Sequence, residues 1–102
     1  MKKLLIASSV VWLASTGVVA QAADQATTDR YNKTCIACHA SGAAGAPVTG
    51  NAEQWAPRME KGIDALVASV EKGLNAMPPK GMCYDCSADD YKALIEHMAT
   101  AK

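Results

Sequence analysis

The sequence predicts a small all-α domain of about four short helices whose centre is filled by something other than side chains. Three observations point there. Apolar residues recur at i, i+3, i+4 and i+7 in several stretches, the spacing of one helical face. Gly and Pro cut the chain between those stretches, and nothing alternates as a half-buried strand would. The third observation is a deficit. Of the 102 residues 50% are hydrophobic, but 14 of these lie in positions 1–22, and beyond them only nine are Leu, Ile or Val and none is Phe. Such poverty in apolar bulk is typical of chains that do not fold alone. Domains of about 80 residues are marginal even with ordinary composition and lean on disulfides, metals or other staples. A large core built from protein alone is therefore excluded.

The chain opens with Lys2 and Lys3, an uncharged apolar stretch over 4–19, and Ala20-Gln21-Ala22. This is the pattern of a cleaved secretory signal, 1–22, leaving 23–102 as one domain. The apolar run is interrupted by Ser8, Ser9, Ser15, Thr16 and Gly17 and falls short of the roughly 20 residues a spanning helix needs. No Cys precedes Cys35 to carry a lipid. The expectation is a soluble periplasmic protein with no stable membrane insertion. Without the leader, 8 Lys and Arg face 10 Asp and Glu, and no basic patch suggests nucleic acid. Export also places all four cysteines where disulfides persist.

The first helix is expected over 25–39, with Tyr31, Thr34, Cys35 and Cys38 on one face. Residues 40–52 carry Gly42, Gly45, Pro47 and Gly50 among small residues and read as an irregular loop. A short helix over 53–61 stops at Gly62. Ile63, Leu66, Val67, Val70 and Leu74 then repeat at helical spacing, with Asp64 near the start, Lys72 in the last turn and Gly73 as a C-terminal cap. Pro78, Pro79 and Gly81 forbid a helix through 75–86. Ser87 and Asp90 form a capping box ahead of a last helix bearing Tyr91, Leu94, Ile95 and Met98. Four narrow apolar stripes suit helices that wrap a flat hydrophobic object better than helices that pack only each other.

Cys35-Ile36-Ala37-Cys38-His39 names the object, for it is the c-type haem attachment sequence. Two thiols about one helical turn apart can each form a thioether with one vinyl group of a porphyrin, and His39 then reaches the iron from the proximal side. Cys35, Cys38, Cys83 and Cys86 could also be read as two zinc-binding pairs. The 44 residues between the pairs exceed the roughly 15 to 20 of the compact four-cysteine pattern, and His39 would go unexplained. A thioredoxin-like role for Cys35 and Cys38 lacks its surrounding βαβ pattern.

The distal ligand has five candidates: Met59, Met77, Met82, Met98 and His97. Met77-Pro78-Pro79 lies on a loop stiffened by two prolines, which can hold a thioether in place. Met98 belongs to an apolar stripe and Met59 lies four residues from Trp55, so packing accounts for both. Met82 competes from the same loop, and His97 or an open sixth position stays in play.

The order Cys-x-x-Cys-His, Gly-x-x-Gly-Ala-Pro, Trp-Ala-Pro-Arg, Gly-Leu-Asn-Ala-Met-Pro-Pro-Lys-Gly, Met-Cys-x-x-Cys and a closing helix resembles class I cytochrome c. It is most similar to the short bacterial cytochrome c-five branch, across essentially all of 23–102. The resemblance implies first and last helices crossing beside one covalently attached haem c, Met77 as axial ligand, and a Cys83–Cys86 disulfide. It implies that the Pro47 carbonyl accepts from His39, and that Trp55, by its indole N–H, and Arg58, by its charge, meet the propionates. A four-residue disulfide ring stabilises by about 2 kcal/mol, and this one would brace the Met77 loop against the last helix. Ser87 after Cys86 excludes a second attached haem.

His and Met together saturate the iron, which favours one-electron transfer over binding oxygen or peroxide. The implied function is a periplasmic electron carrier and not an enzyme. Its partners would be redox proteins upstream and downstream, membrane-bound reductases or terminal oxidases, docking weakly near Ala43, Ala44, Ala46, Ala76 and Lys80. A small haem peroxidase or a gas-binding module is the rival reading, and both need a displaceable sixth ligand. The apolar deficit carries its own prediction: stripped of haem, the chain should show little helical circular dichroism, and cooperative native-like melting of the apo chain would contradict it.

Overall fold

The computed structural model describes residues 25–101. The leader expected at 1–22 lies outside them. Four helices account for most of the described chain, and no sheet occurs among the described residues. The first, α1, is helical throughout 25–39 but not uniformly α: Tyr31–Cys35 is a π turn in which the Ile36 N–H donates to the Tyr31 carbonyl, five residues back. α2 is Ala52–Met59, α3 is Ile63–Lys72 and α4 is Ala88–Thr100. Short 3-10 turns at Ala43–Gly45 and Pro79–Met82 punctuate the two long connections.

Local chemistry sets the helix boundaries. Asn51 takes the N-cap of α2, its side chain accepting from the Gln54 N–H, so α2 starts one residue earlier than the sequence suggests, and it ends two earlier, at Met59. Ser87 and Asp90 form the expected reciprocal capping box on α4. The Ser87 backbone N–H, with the Ser87 hydroxyl and the Arg30 charge, holds the Asp90 carboxyl below the ordinary carboxylate range. The expected apolar stripe of α3 is overextended by one residue. Its helix ends at Lys72 and Gly73 caps it, so Leu74 lies beyond the helical face and is 52% exposed.

The core is as small as the composition requires. Among the described residues seven hydrophobic ones are buried: Tyr31, Trp55 and Cys83, with Tyr91, Leu94, Ile95 and Met98 all from the α4 stripe. Ile63, Leu66, Val67 and Val70 of α3 pack against that cluster and stay half-buried. The first and last helices meet, as the resemblance implies: the Tyr31 and His97 rings lie 5.2 Å apart, and Arg30 pairs with Asp90 at 3.2 Å. That ion pair is half-exposed, so its net contribution is at most about 1 kcal/mol.

α4 also governs the 75–86 loop. The Tyr91 hydroxyl donates to the Cys83 carbonyl at 2.7 Å inside the core. Burial, with the carboxylates of Glu71, Asp85 and Asp90, pushes the Tyr91 phenol up, keeping it a donor. Cys83 is joined to Cys86 by a disulfide, so one hydroxyl ties the last helix to that ring. Tyr91→Phe removes this hydrogen bond and leaves the Cys83 carbonyl only the Cys86 N–H at 3.3 Å, and it should lower unfolding stability by about 0.5–1.5 kcal/mol in denaturant titrations.

Candidate functional site

The segment 47–49 sits between two glycine-containing turns and pairs with no strand, so its polar groups are free to bind side chains. Three do so in succession. His39 Nδ1 donates to the Pro47 carbonyl at 2.8 Å, Trp55 Nε1 donates to the Val48 carbonyl at 2.9 Å, and the Tyr31 hydroxyl donates to Thr49 Oγ1 at 2.8 Å. Backbone bonds close the arrangement. The Thr49 N–H donates to the His39 carbonyl at 2.8 Å, the Gly50 N–H to Met98 of α4 at 2.8 Å, and the Val48 N–H to Gln54 Oε1 at 2.7 Å.

This fixes the chemistry of His39. A carbonyl can only accept, so Nδ1 carries the proton and Nε2 carries the lone pair. The imidazole is 8% exposed and lies against the Trp55 indole, centroids 5.9 Å apart and planes 27° from parallel. The ring is therefore pre-oriented, with Nε2 the atom its neutral form offers to a metal.

His39 forms part of the wall of a cavity of about 450 Å³. Two stretches of chain build most of it: the end of α1 with residues 43–47, and residues 74–78 with Gly81 and Met82. Cys35 and Cys38 line it as free thiols, one half-buried and one exposed. Burial pushes the Cys35 thiol up, and contact with the Thr34 hydroxyl at 3.4 Å partly offsets this. The walls are largely Ala, Leu, Pro and Met, and among the described residues the charged side chains that line it are Lys33 and Arg58, both cationic.

Of the five distal candidates, Met77 and Met82 line the cavity. Met98 is buried in the core, Met59 packs against that core, and His97 faces Tyr31. Met77 is half-buried, whereas Met82 is 56% exposed with its sulfur 3.8 Å from the Tyr84 hydroxyl. Met77 is also held by its backbone: its N–H donates to the Leu74 carbonyl at 2.9 Å and its carbonyl accepts from the Leu74 N–H at 3.1 Å. Ala43, Ala44 and Ala76 are exposed at the cavity rim and Ala46 is half-buried there. Exposed Lys80 lies just beyond the lining residues.

The indole N–H of Trp55, expected by resemblance at a propionate, donates to the Val48 carbonyl, and Trp55 is buried at 5% exposure without lining the cavity. The Val48 carbonyl accepts from the Asn51 N–H at 3.0 Å in a turn, and the indole N–H is its second donor. Arg58 does line the cavity, with Nη1 donating to the Gln54 carbonyl of its own helix at 2.6 Å. Val48, Thr49, Gln54 and the Tyr31 hydroxyl were not singled out from sequence. The available signal was the Pro-Val-Thr run between Gly45 and Gly50, an extended segment after a proline whose backbone groups need partners.

Two thiols one helical turn apart, a neutral imidazole with a free Nε2, a thioether and an apolar, cation-rimmed cavity fit a covalently held haem. That combination defines a c-type cytochrome. A family model described as cytochrome c oxidase, cbb3-type, subunit III, matches residues 22–98. Cytochrome c5 of Ectopseudomonas mendocina is 42% identical over 88 residues, covering 84% of this chain and 97% of that protein. A mono-heme ferrocytochrome c from Shewanella putrefaciens is 56% identical with a TM-score of 0.67, covering 74% of this chain and 94% of that one. The cytochrome c in a crystallised electron transfer complex with nitrite reductase is 40% identical with a TM-score of 0.67, covering 72% and 90% of the two chains. The chain belongs to the class I c-type cytochromes, in the cytochrome c5 branch, and is an electron carrier with one covalently attached haem c.

Because the indole N–H serves the backbone, Trp55→Phe should lower stability by about 0.5–1.5 kcal/mol through loss of that one hydrogen bond, the Val48 carbonyl keeping the Asn51 N–H. The pH dependence of the reduction potential, which a lost propionate partner would alter, should stay as in the parent protein.

Proposed function

We propose that this carrier works in the periplasm, exported by the leader at 1–22, with its haem iron held axially by His39 and Met77. Cys35 and Cys38 form the thioethers. The observation that carries the reading is the His39 Nδ1–H bond to Pro47, which leaves Nε2 as the donor in a cavity that Met77 also lines.

The haem supplies a one-electron iron couple; the chain supplies position, charge and exclusion of water. Cys35 and Cys38 hold the macrocycle covalently, so the binding geometry persists through each cycle. His39, buried and bonded to Pro47, cannot rotate or change tautomer when the charge opposite Nε2 changes. Met77 brings a soft thioether that favours the reduced state and raises the potential. With His39 and Met77 both holding the iron, small ligands would find no open site, which separates this reading from peroxidase or gas-binding chemistry. Arg58 sets a cation at the cavity edge, where it offsets propionate charge.

Partners are proposed to be redox enzymes, including membrane-bound reductases and terminal oxidases, that dock transiently at the rim carrying Ala43, Ala44, Ala76 and Lys80. The similar cytochrome c crystallised with nitrite reductase supports redox enzymes as the partner class.

Two variants test the assignment. The reduced wild-type protein should be low-spin and inert to carbon monoxide, whereas Met77→Ala should bind it and show a lower potential in a redox titration. Rapid carbon monoxide binding by the wild type would overturn the axial pair. Replacing Cys35 and Cys38 together by Ser should let acidified solvent extract the haem, leaving a chain with the mass of polypeptide alone.

A further inference from the structure

α3 is bounded by two glycines with almost the same backbone conformation. Gly62 has φ 90°, ψ 146° and Gly73 has φ 85°, ψ 155°, a region that only glycine occupies without strain. Their surroundings differ. A Cβ at Gly62 would meet nothing within 4 Å. A Cβ at Gly73 would lie 2.9 Å from the Met77 carbonyl oxygen, 2.9 Å from the Pro79 nitrogen and 3.2 Å from the Pro78 carbonyl carbon. Those atoms are backbone, and two belong to prolines whose φ is locked, so they cannot swing aside like a side-chain tip. The next residue, Leu74, exchanges both of its backbone hydrogen bonds with Met77. The Met77-Pro78-Pro79 backbone is thus laid directly on the bare α-carbon of residue 73.

We propose that Gly73 is a positioning residue for the axial thioether: the absence of a side chain lets the Met77–Pro79 backbone close onto the end of α3, and this sets where the Met77 sulfur enters the cavity. The inference rests on Met77 being the distal ligand. A methyl group at 73 needs about 0.5 Å more room to reach ordinary van der Waals contact with Met77 and Pro79. Metal and catalytic geometries tolerate displacements of about that size at most. The motion falls on the residue that ligates, through the two hydrogen bonds it shares with Leu74.

Gly62 supplies the control, since alanine there meets the same backbone strain without touching the loop. Gly73→Ala and Gly62→Ala are compared in the exported holoprotein by thermal unfolding, the long-wavelength sulfur-to-iron absorption band, the reduction potential and carbon monoxide binding. Both variants should lose stability. Gly73→Ala alone should also lose the band, shift to lower potential and bind carbon monoxide when reduced. A Gly73→Ala protein that keeps the band and potential overturns the inference, as does a Gly62→Ala protein that loses them equally. Met77→Ala separates the two readings: if it retains the band, the ligand assignment fails; if it loses the band while Gly73→Ala retains it, only the role of Gly73 fails. Should Gly73→Ala not accumulate, amide exchange in the wild type decides. The Leu74 and Met77 amides should be protected together, and exchange of both as fast as exposed Asn75 overturns the proposal.

Discussion

The hydrogen bond from His39 Nδ1 to the Pro47 carbonyl is the constraint on which the rest of the site depends. It decides the tautomer, and so decides that Nε2 and not Nδ1 is available to a metal. It cannot act alone, because a loop carbonyl free to move would orient nothing. The segment that offers it is pinned at every residue: Trp55 holds Val48, Tyr31 holds Thr49, and the Gly50 N–H is tied to the end of the last helix. Two of the buried hydrophobic residues, Tyr31 and Trp55, thus spend their polar atoms on two adjacent residues of loop, Thr49 and Val48. The small core is organised around keeping one imidazole still.

The opposite side of the cavity is built differently. Met77 is held by two backbone bonds to Leu74, by the close approach of its loop to Gly73, and through Cys83 by Tyr91. The disulfide between Cys83 and Cys86 anchors the loop where it meets α4. Besides the packing of Cys83 in the core, this side draws its order from prolines, a covalent ring and a glycine that admits close packing. The apolar deficit of the sequence acquires a structural meaning here: the chain spends its bulk on α4 and leaves the space between His39 and Met77 to the haem.

The legible parts of the sequence were those with a side-chain signature. The stripe Tyr91, Leu94, Ile95 and Met98 is buried residue for residue, the Ser87–Asp90 capping box is present, and Cys35, Cys38, His39 and Met77 line one cavity. What escaped was carried by the backbone. Leu74 fits the period of α3 but follows a residue whose ψ of 155° has left the helix, and apolar periodicity does not register that departure. Trp55 donates to a main-chain carbonyl, a partner which every residue possesses and none advertises. The hub at 47–49 was invisible for the same reason.

The π turn at Tyr31–Cys35 has a consequence for how this chain can vary. One residue beyond the α-helical complement rotates everything after it by roughly 100° about the helix axis. Before the turn, Arg30 points to α4, where it meets Asp90; at its end Cys35, and after it Cys38 and His39, face the cavity. Asn32 inside the turn is exposed, so its identity is free to drift. The number of residues is not. Deleting one between Arg30 and Cys35 would restore a uniform helix and swing the attachment motif off the cavity, so this stretch is constrained in length where it is least constrained in composition.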